Sequence, residues 1–136
     1  MSKNYHSHGF LYHPGSQQIL LQQKTDEQQQ MWTLLESLNG ESFQRVASKH
    51  LNLKLQPKAV LFIYDYAIKG KKHLVSYAEV KKLEDFPATK IYSFKWFTIK
   101  EISKLPISSQ TKQDLIVGRR VIDSQVRRDA GEQTIG

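Results

Sequence analysis

At 136 residues the chain is long enough for one domain, which at this size buries about two-thirds of its unfolded surface. It has no cysteine, which excludes disulfides and thiolate metal sites, and no apolar run approaching ~18 residues, which excludes a membrane-spanning helix. Lys and Arg outnumber Asp and Glu 20 to 13, and the net charge of +7 allows nonspecific attraction to nucleic acid or another polyanion without requiring it. The first residues lack the apolar segment of a signal peptide, so the cytoplasm is the expected location and no membrane partner is expected.

Residues 5–21 predict a hairpin: Phe10, Leu11 and Tyr12 enter the turn His13-Pro14-Gly15-Ser16, and Ile19, Leu20 and Leu21 follow. His6 and His8, two apart, share one side of the first strand. Such a pair binds a transition metal when a third ligand joins it. The sequence signals no third ligand, so the pair reads as an exposed strand end or residues beside an expression tag, and no metal site is expected. Residues 24–31 are polar and aperiodic and predict a surface loop, with a solvated glutamine run, ahead of Trp32.

Gly40-Glu41-Ser42 leads into a helical pattern in which Phe43, Val46, Ala47, His50 and Leu51 share a face. Ser42 suits the N-cap, Glu41 the positive end of the helix dipole, and Asn52 the left-handed residue that closes the helix. The N-terminus of a helix between loop and strand is a natural place to meet phosphate. Residues 59–68 are nearly continuous in apolar side chains and predict a central strand buried on both faces; Asp65 within it belongs at a pocket end or beside a cation. Lys69-Gly70-Lys71-Lys72 reads as a solvated turn into a second strand over residues 73–80, with Leu74 or Val75 inward. A loop over residues 81–90 carries Glu84 and Asp85.

Tyr92, Phe94 and Trp96 alternate on one face of the next strand, where they form core or, for Tyr92 or Trp96, a platform for a base. Thr98 and Glu101 have the spacing of a capping box. Residues 108–126 predict the last helix, with Leu115, Ile122 and Val126 on its buried stripe and Lys112, Arg119, Arg120 and Asp123 outside. Arg119, Arg120, Arg127 and Arg128 make a basic end that is a solvated face or a contact for an anionic partner, and residues 129–136, polar and Gly-rich, read as a frayed tail.

The order of these features resembles the Nudix family, whose motif is G-x5-E-x7-R-E-U-x-E-E-x-G-U, with U a large aliphatic residue and a tryptophan shortly before it. Trp32, Gly40-Glu41-Ser42, Ala47 and Leu51-Asn52-Leu53 fit that frame, whereas the glycine pair expected after Trp32 reads Glu36-Ser37. Without a gap, R-E-U-x-E-E falls on Lys49, His50, Leu51, Asn52, Leu53 and Lys54. With a gap of four residues, close to one helical turn at ~3.6 residues, Asn52 replaces the closing glycine and Lys49 and His50 stand where the paired glutamates belong. The gapped alignment is preferred because it keeps the buried face. A second phrase, Trp96-Phe97-Thr98-Ile99-Lys100-Glu101-Ile102 followed by Leu105-Pro106, resembles the family's aromatic strand and turn, so the likeness spans residues 5–126.

The resemblance implies an α/β fold, a Nudix-like α/β/α sandwich around a mixed β-sheet, as a single domain over residues 1–126 with residues 127–136 as its tail. In Nudix enzymes the helix glutamates hold Mg2+ or Mn2+ against a diphosphate; here an ammonium and an imidazole replace them, and Glu41 alone remains. The expectation is a domain that has lost pyrophosphohydrolase activity, needs no cofactor, and binds a nucleotide-like or other phosphorylated ligand or a protein. Trp32, Lys49, His50, Tyr92 and Trp96 are its expected contacts. One alternative is an active hydrolase of a nucleoside diphosphate linked to another group. Glu41 with Glu36, Glu79, Glu84 or Asp85 would then hold Mg2+ or Mn2+, and metal-polarised water would attack. A second alternative is a basic RNA- or DNA-binding protein. Nudix relatives often dimerise, which leaves a homodimer open.

Overall fold

The computed structural model describes residues 5–25, 31–37 and 40–135, with side chains through residue 128. The glutamine run of residues 28–30 lies outside the described residues. Strands β1 (Tyr5–His13) and β2 (Gln18–Lys24) form the expected hairpin, but they pair only at Tyr12↔Ile19 and His13↔Gln18. Beyond that point they splay. Two short strands fill the fork, β3 (Trp32–Thr33) against β2 and β4 (Leu35–Ser37) against β1.

The outer sides are covered by long partners. Strand β5 (Val60–Ile68) and β6 (Lys71–Glu79) make an antiparallel hairpin, and β6 runs parallel to β1 from Tyr5↔Lys72 to Tyr12↔Glu79. Strand β7 (Tyr92–Thr98) is antiparallel to β2. The result is a mixed seven-stranded sheet.

Alternation along the strands builds two cores. Leu11, Leu20, Ala78 and Trp96 face helix α1 (Phe43–Leu51), which contributes Phe43, Val46 and Leu51. Phe10, Ile19, Leu21, Tyr77 and Phe97 face α2 (Ile99–Ile102) and α3 (Ser109–Ile135), through Ile102, Leu115 and Ile122. Helix α1 starts and stops as its sequence predicts: Ser42 Oγ accepts from Arg45 N at 3.2 Å, and Asn52 adopts φ 52°. The helix comes close because residue 9 is glycine. A Cβ there would overlap the Phe43 ring.

The capping box at α2 is complete, with Thr98 Oγ accepting from Glu101 N at 3.2 Å and Glu101 Oε1 accepting from Thr98 N at 2.9 Å. Those hydrogen bonds hold the Glu101 carboxyl below its ordinary value. Because α2 is a single turn that delivers Ile102 to the core, Thr98→Ala is expected to cost about 1 kcal/mol, seen as a lower urea midpoint at unchanged m.

Three expectations need correction. Strand β5 is an edge strand, with β6 as its one neighbour among the described residues, and Phe62 is 57% exposed with Leu61 and Ile68 also in solvent. A continuous apolar run therefore marked an uncovered edge and not two-sided burial. Asp65 on it pairs with Lys72 at 3.4 Å, the cation partner that was one of its two readings. Val126 is 60% exposed, since it lies beyond Ile122, the last buried residue of α3 among the described side chains. The backbone stays helical through residue 135, beyond the predicted helix end at residue 126.

Candidate functional site

The loop before α1 is anchored by Ser7 Oγ, which donates to the Glu41 carbonyl. The Glu41 carboxylate then turns along the helix. Arg45 Nε lies 3.2 Å from its Oε2, Lys49 Nζ 3.4 Å from each oxygen, and Ser37 Oγ 3.4 Å from Oε1. Loss of water at the carboxylate would raise its pKa; Lys49, Arg45 and Ser37 outweigh that and hold it below the ordinary value. The first turn of α1 has no acidic residue, and its last turn carries Lys49 and His50. A dication arriving at Glu41 would meet two fixed cations and one carboxylate, a poor offer to an ion that prefers several oxygens.

The carboxylates considered as helpers do not gather there. Glu36 projects to the opposite face of the sheet, where its Oε2 lies 3.4 Å from His8 Nδ1. Glu79, Glu84 and Asp85 are exposed, and Glu84 meets the core only through its carbonyl, which accepts from Trp96 Nε1 at 2.8 Å.

The expected ligand contacts divide in the same way. On the α1 side Lys49 and His50 are neighbours in the last turn of the helix, and the His50 and Tyr92 rings meet edge-to-face at 5.3 Å. Burial, then the Lys49 charge, hold His50 below its ordinary pKa. Trp96 is on this side but lies within the core, its N–H already bonded, so it offers no open face to a base. Trp32 packs edge-to-face on Phe97 at 4.8 Å in the other core. A cleft of 540 Å³ between the first hairpin turn and α2 and α3 contains none of the five; Lys100, Arg119 and Asp123 are among its lining.

His6 and His8 turn out to have the third partner that the sequence did not signal. The parallel register sets His6 beside His73, and the ligating atoms of His6, His8 and His73 lie within 4.8 Å of one another. His8 Nε2 and His73 Nδ1 are hydrogen-bonded at 2.8 Å. Tyr66 stacks on His73 at 4.9 Å. Below them Asp114, only 2% exposed, accepts from Tyr64 Oη at 2.5 Å and Gln110 Nε2 at 2.9 Å. Burial and the Asp114 carboxylate push the Tyr64 phenol upward, which keeps it a donor. His73 was visible in the sequence only as a strand residue. Its partnership needs the pairing of β1 with β6, across 65 positions.

No family model and no curated protein sequence matches the chain. Solved structures do match its fold. The C-terminal domain of mouse MUTYH, in complex with human PCNA, is 14% identical, with 88% of this chain and 89% of that chain covered at a TM-score of 0.66. The NUDIX domain of Shewanella oneidensis NrtR complexed with ADP ribose is 12% identical, with 90% of each chain covered at 0.67. A C. elegans Ap4A hydrolase binary complex is 11% identical, with 88% of this chain and 98% of that chain covered at 0.67.

Proposed function

We propose that this chain, which has the Nudix fold, is a binding module for a phosphorylated, nucleotide-like ligand and does not hydrolyse diphosphates at helix α1. The observation that carries the reading is the fate of Glu41: its carboxylate is spent on Arg45 and Lys49, and the helix supplies no second acid. What the same surface offers instead is a cation beside an imidazole and an aromatic ring, Lys49, His50 and Tyr92. An ammonium suits phosphate and an aromatic edge suits a base or ribose. The NrtR domain of similar fold is complexed with ADP ribose, a ligand of this class.

The test uses ADP ribose as probe, with and without Mg2+ or Mn2+. Saturable binding without cleavage is expected, and Lys49→Ala is expected to weaken it about tenfold, the loss of one charge-assisted contact. Metal-dependent cleavage that Glu41→Gln abolishes would establish the hydrolase alternative. Binding untouched by Lys49→Ala would move the ligand elsewhere on the fold.

A protein partner is the second reading, favoured by the β5 edge. Leu61 and Phe62 are exposed there on a strand whose outer edge has no partner among the described residues, the kind of surface that accepts another chain. The domain of similar fold from mouse MUTYH is found in complex with human PCNA.

A further inference from the structure

We propose that His6, His8 and His73 form a binding site for a divalent transition metal of the zinc class, on the α3 face of the sheet and on the opposite side from helix α1. The inference does not rest on the ligand-binding reading above.

Four observations converge on it. The first is placement. His6 and His8 are two apart on β1, and His73 stands level with them on parallel β6, so three imidazoles project from a rigid sheet to one point. The second is spacing. Nitrogens around a tetrahedral ion with bonds of ~2.0–2.1 Å lie about 3.3 Å apart. The His8–His73 pair, at 2.8 Å, has to open slightly, and the remaining separations, none above 4.8 Å, are within reach of that spacing by rotation of rings on fixed strands.

The third is the arrangement behind the ligands. His8 Nδ1 faces Glu36 Oε2 at 3.4 Å. A carboxylate on one imidazole nitrogen fixes the tautomer that leaves the other lone pair for a metal. That other nitrogen, Nε2, is the one turned toward His73. The fourth is an unmet need. His6 Nδ1 is buried with no hydrogen-bond partner among the described residues. A buried polar atom without a partner is uncommon, and a bound ion is one of the things that meets such a need.

The local charge agrees, although the chain as a whole is basic. Glu36 and Asp114 both act on His73 as anions, and Lys71 acts on His6 from the strand end. Three nitrogen donors select zinc, cobalt, nickel or copper over magnesium or calcium, which take oxygen. His6 and His73 are only half-buried, so a fourth position remains within reach of water or an anion.

The experiment titrates the full-length, chelator-stripped protein with ZnCl2 against a competing indicator, and with CoCl2 followed by visible absorption. One equivalent of zinc is expected to bind, with Co2+ bands of low coordination number and no competition from millimolar MgCl2. His73→Ala should weaken zinc by 100-fold or more, and Glu36→Gln by about 10- to 100-fold through the orientation of His8. His13→Ala, which alters a histidine outside the cluster, should leave zinc affinity unchanged. Absence of stoichiometric zinc binding by the unmutated chain overturns the proposal, as does full affinity in His73→Ala. If circular dichroism shows that His73→Ala fails to fold, Glu36→Gln decides: weakened zinc supports the site, and unchanged zinc removes it.

Discussion

Phe10→Ala is expected to lower the unfolding free energy by about 3–5 kcal/mol, the usual range for an aromatic removed from a core. Phe10 is fully buried, and its ring stacks on Tyr77 with centroids 5.5 Å apart. It also sets the height of α3 over the sheet. Gly118 lies over the ring so closely that a Cβ there would be 3.1 Å from Cε1 and Cζ. Truncation therefore opens a hole that neither the strand nor the helix backbone can easily fill. Small domains are stable by about 5–15 kcal/mol, so most of the margin is at stake. Urea unfolding followed by tryptophan fluorescence measures it. A loss below about 1 kcal/mol would mean that α3 collapses onto the sheet and that its close approach at Gly118 is not fixed.

The second large effect is expected on the opposite core. Leu35→Ala should cost about 2–5 kcal/mol. Leu35 is buried in the α1 core and is the centre of β4, which holds its place in the fork through three residue pairs with β1. So short a strand has little ladder of its own and depends on its side chain. The same strand carries Glu36 on its other face, opposite His8. Leu35→Ala should therefore also change the His8 imidazole resonances in NMR spectra under native conditions. A stability loss with those resonances unmoved would show that β4 is held by its backbone alone.

These two residues illustrate why the sandwich was legible in the sequence. Successive side chains of a strand take opposite faces, so Phe10 and Leu11, or Trp96 and Phe97, had to enter different cores. The candidate site was legible in part. That helix α1 carries no acidic residue could be read from the sequence, and the structure adds that Arg45 and Lys49 pair with Glu41. The division of Glu36 from Glu41 was not legible, because it depends on β4 entering the fork with Leu35 toward α1.

What the sequence determined by itself was whatever hydrogen bonds or periods encode within a few residues. The Ser42 and Thr98 caps, the Asn52 closure, the two hairpins and the order of elements that resembles Nudix proteins all belong to that class. Tertiary structure decided which strands became neighbours. It put the apolar β5 at an edge, because β6 took the place beside β1, and it brought His73 to His6 and His8. Parallel pairing joins segments far apart in the chain, and its register follows from how two cores close on both faces at once, so no local pattern in either strand records it.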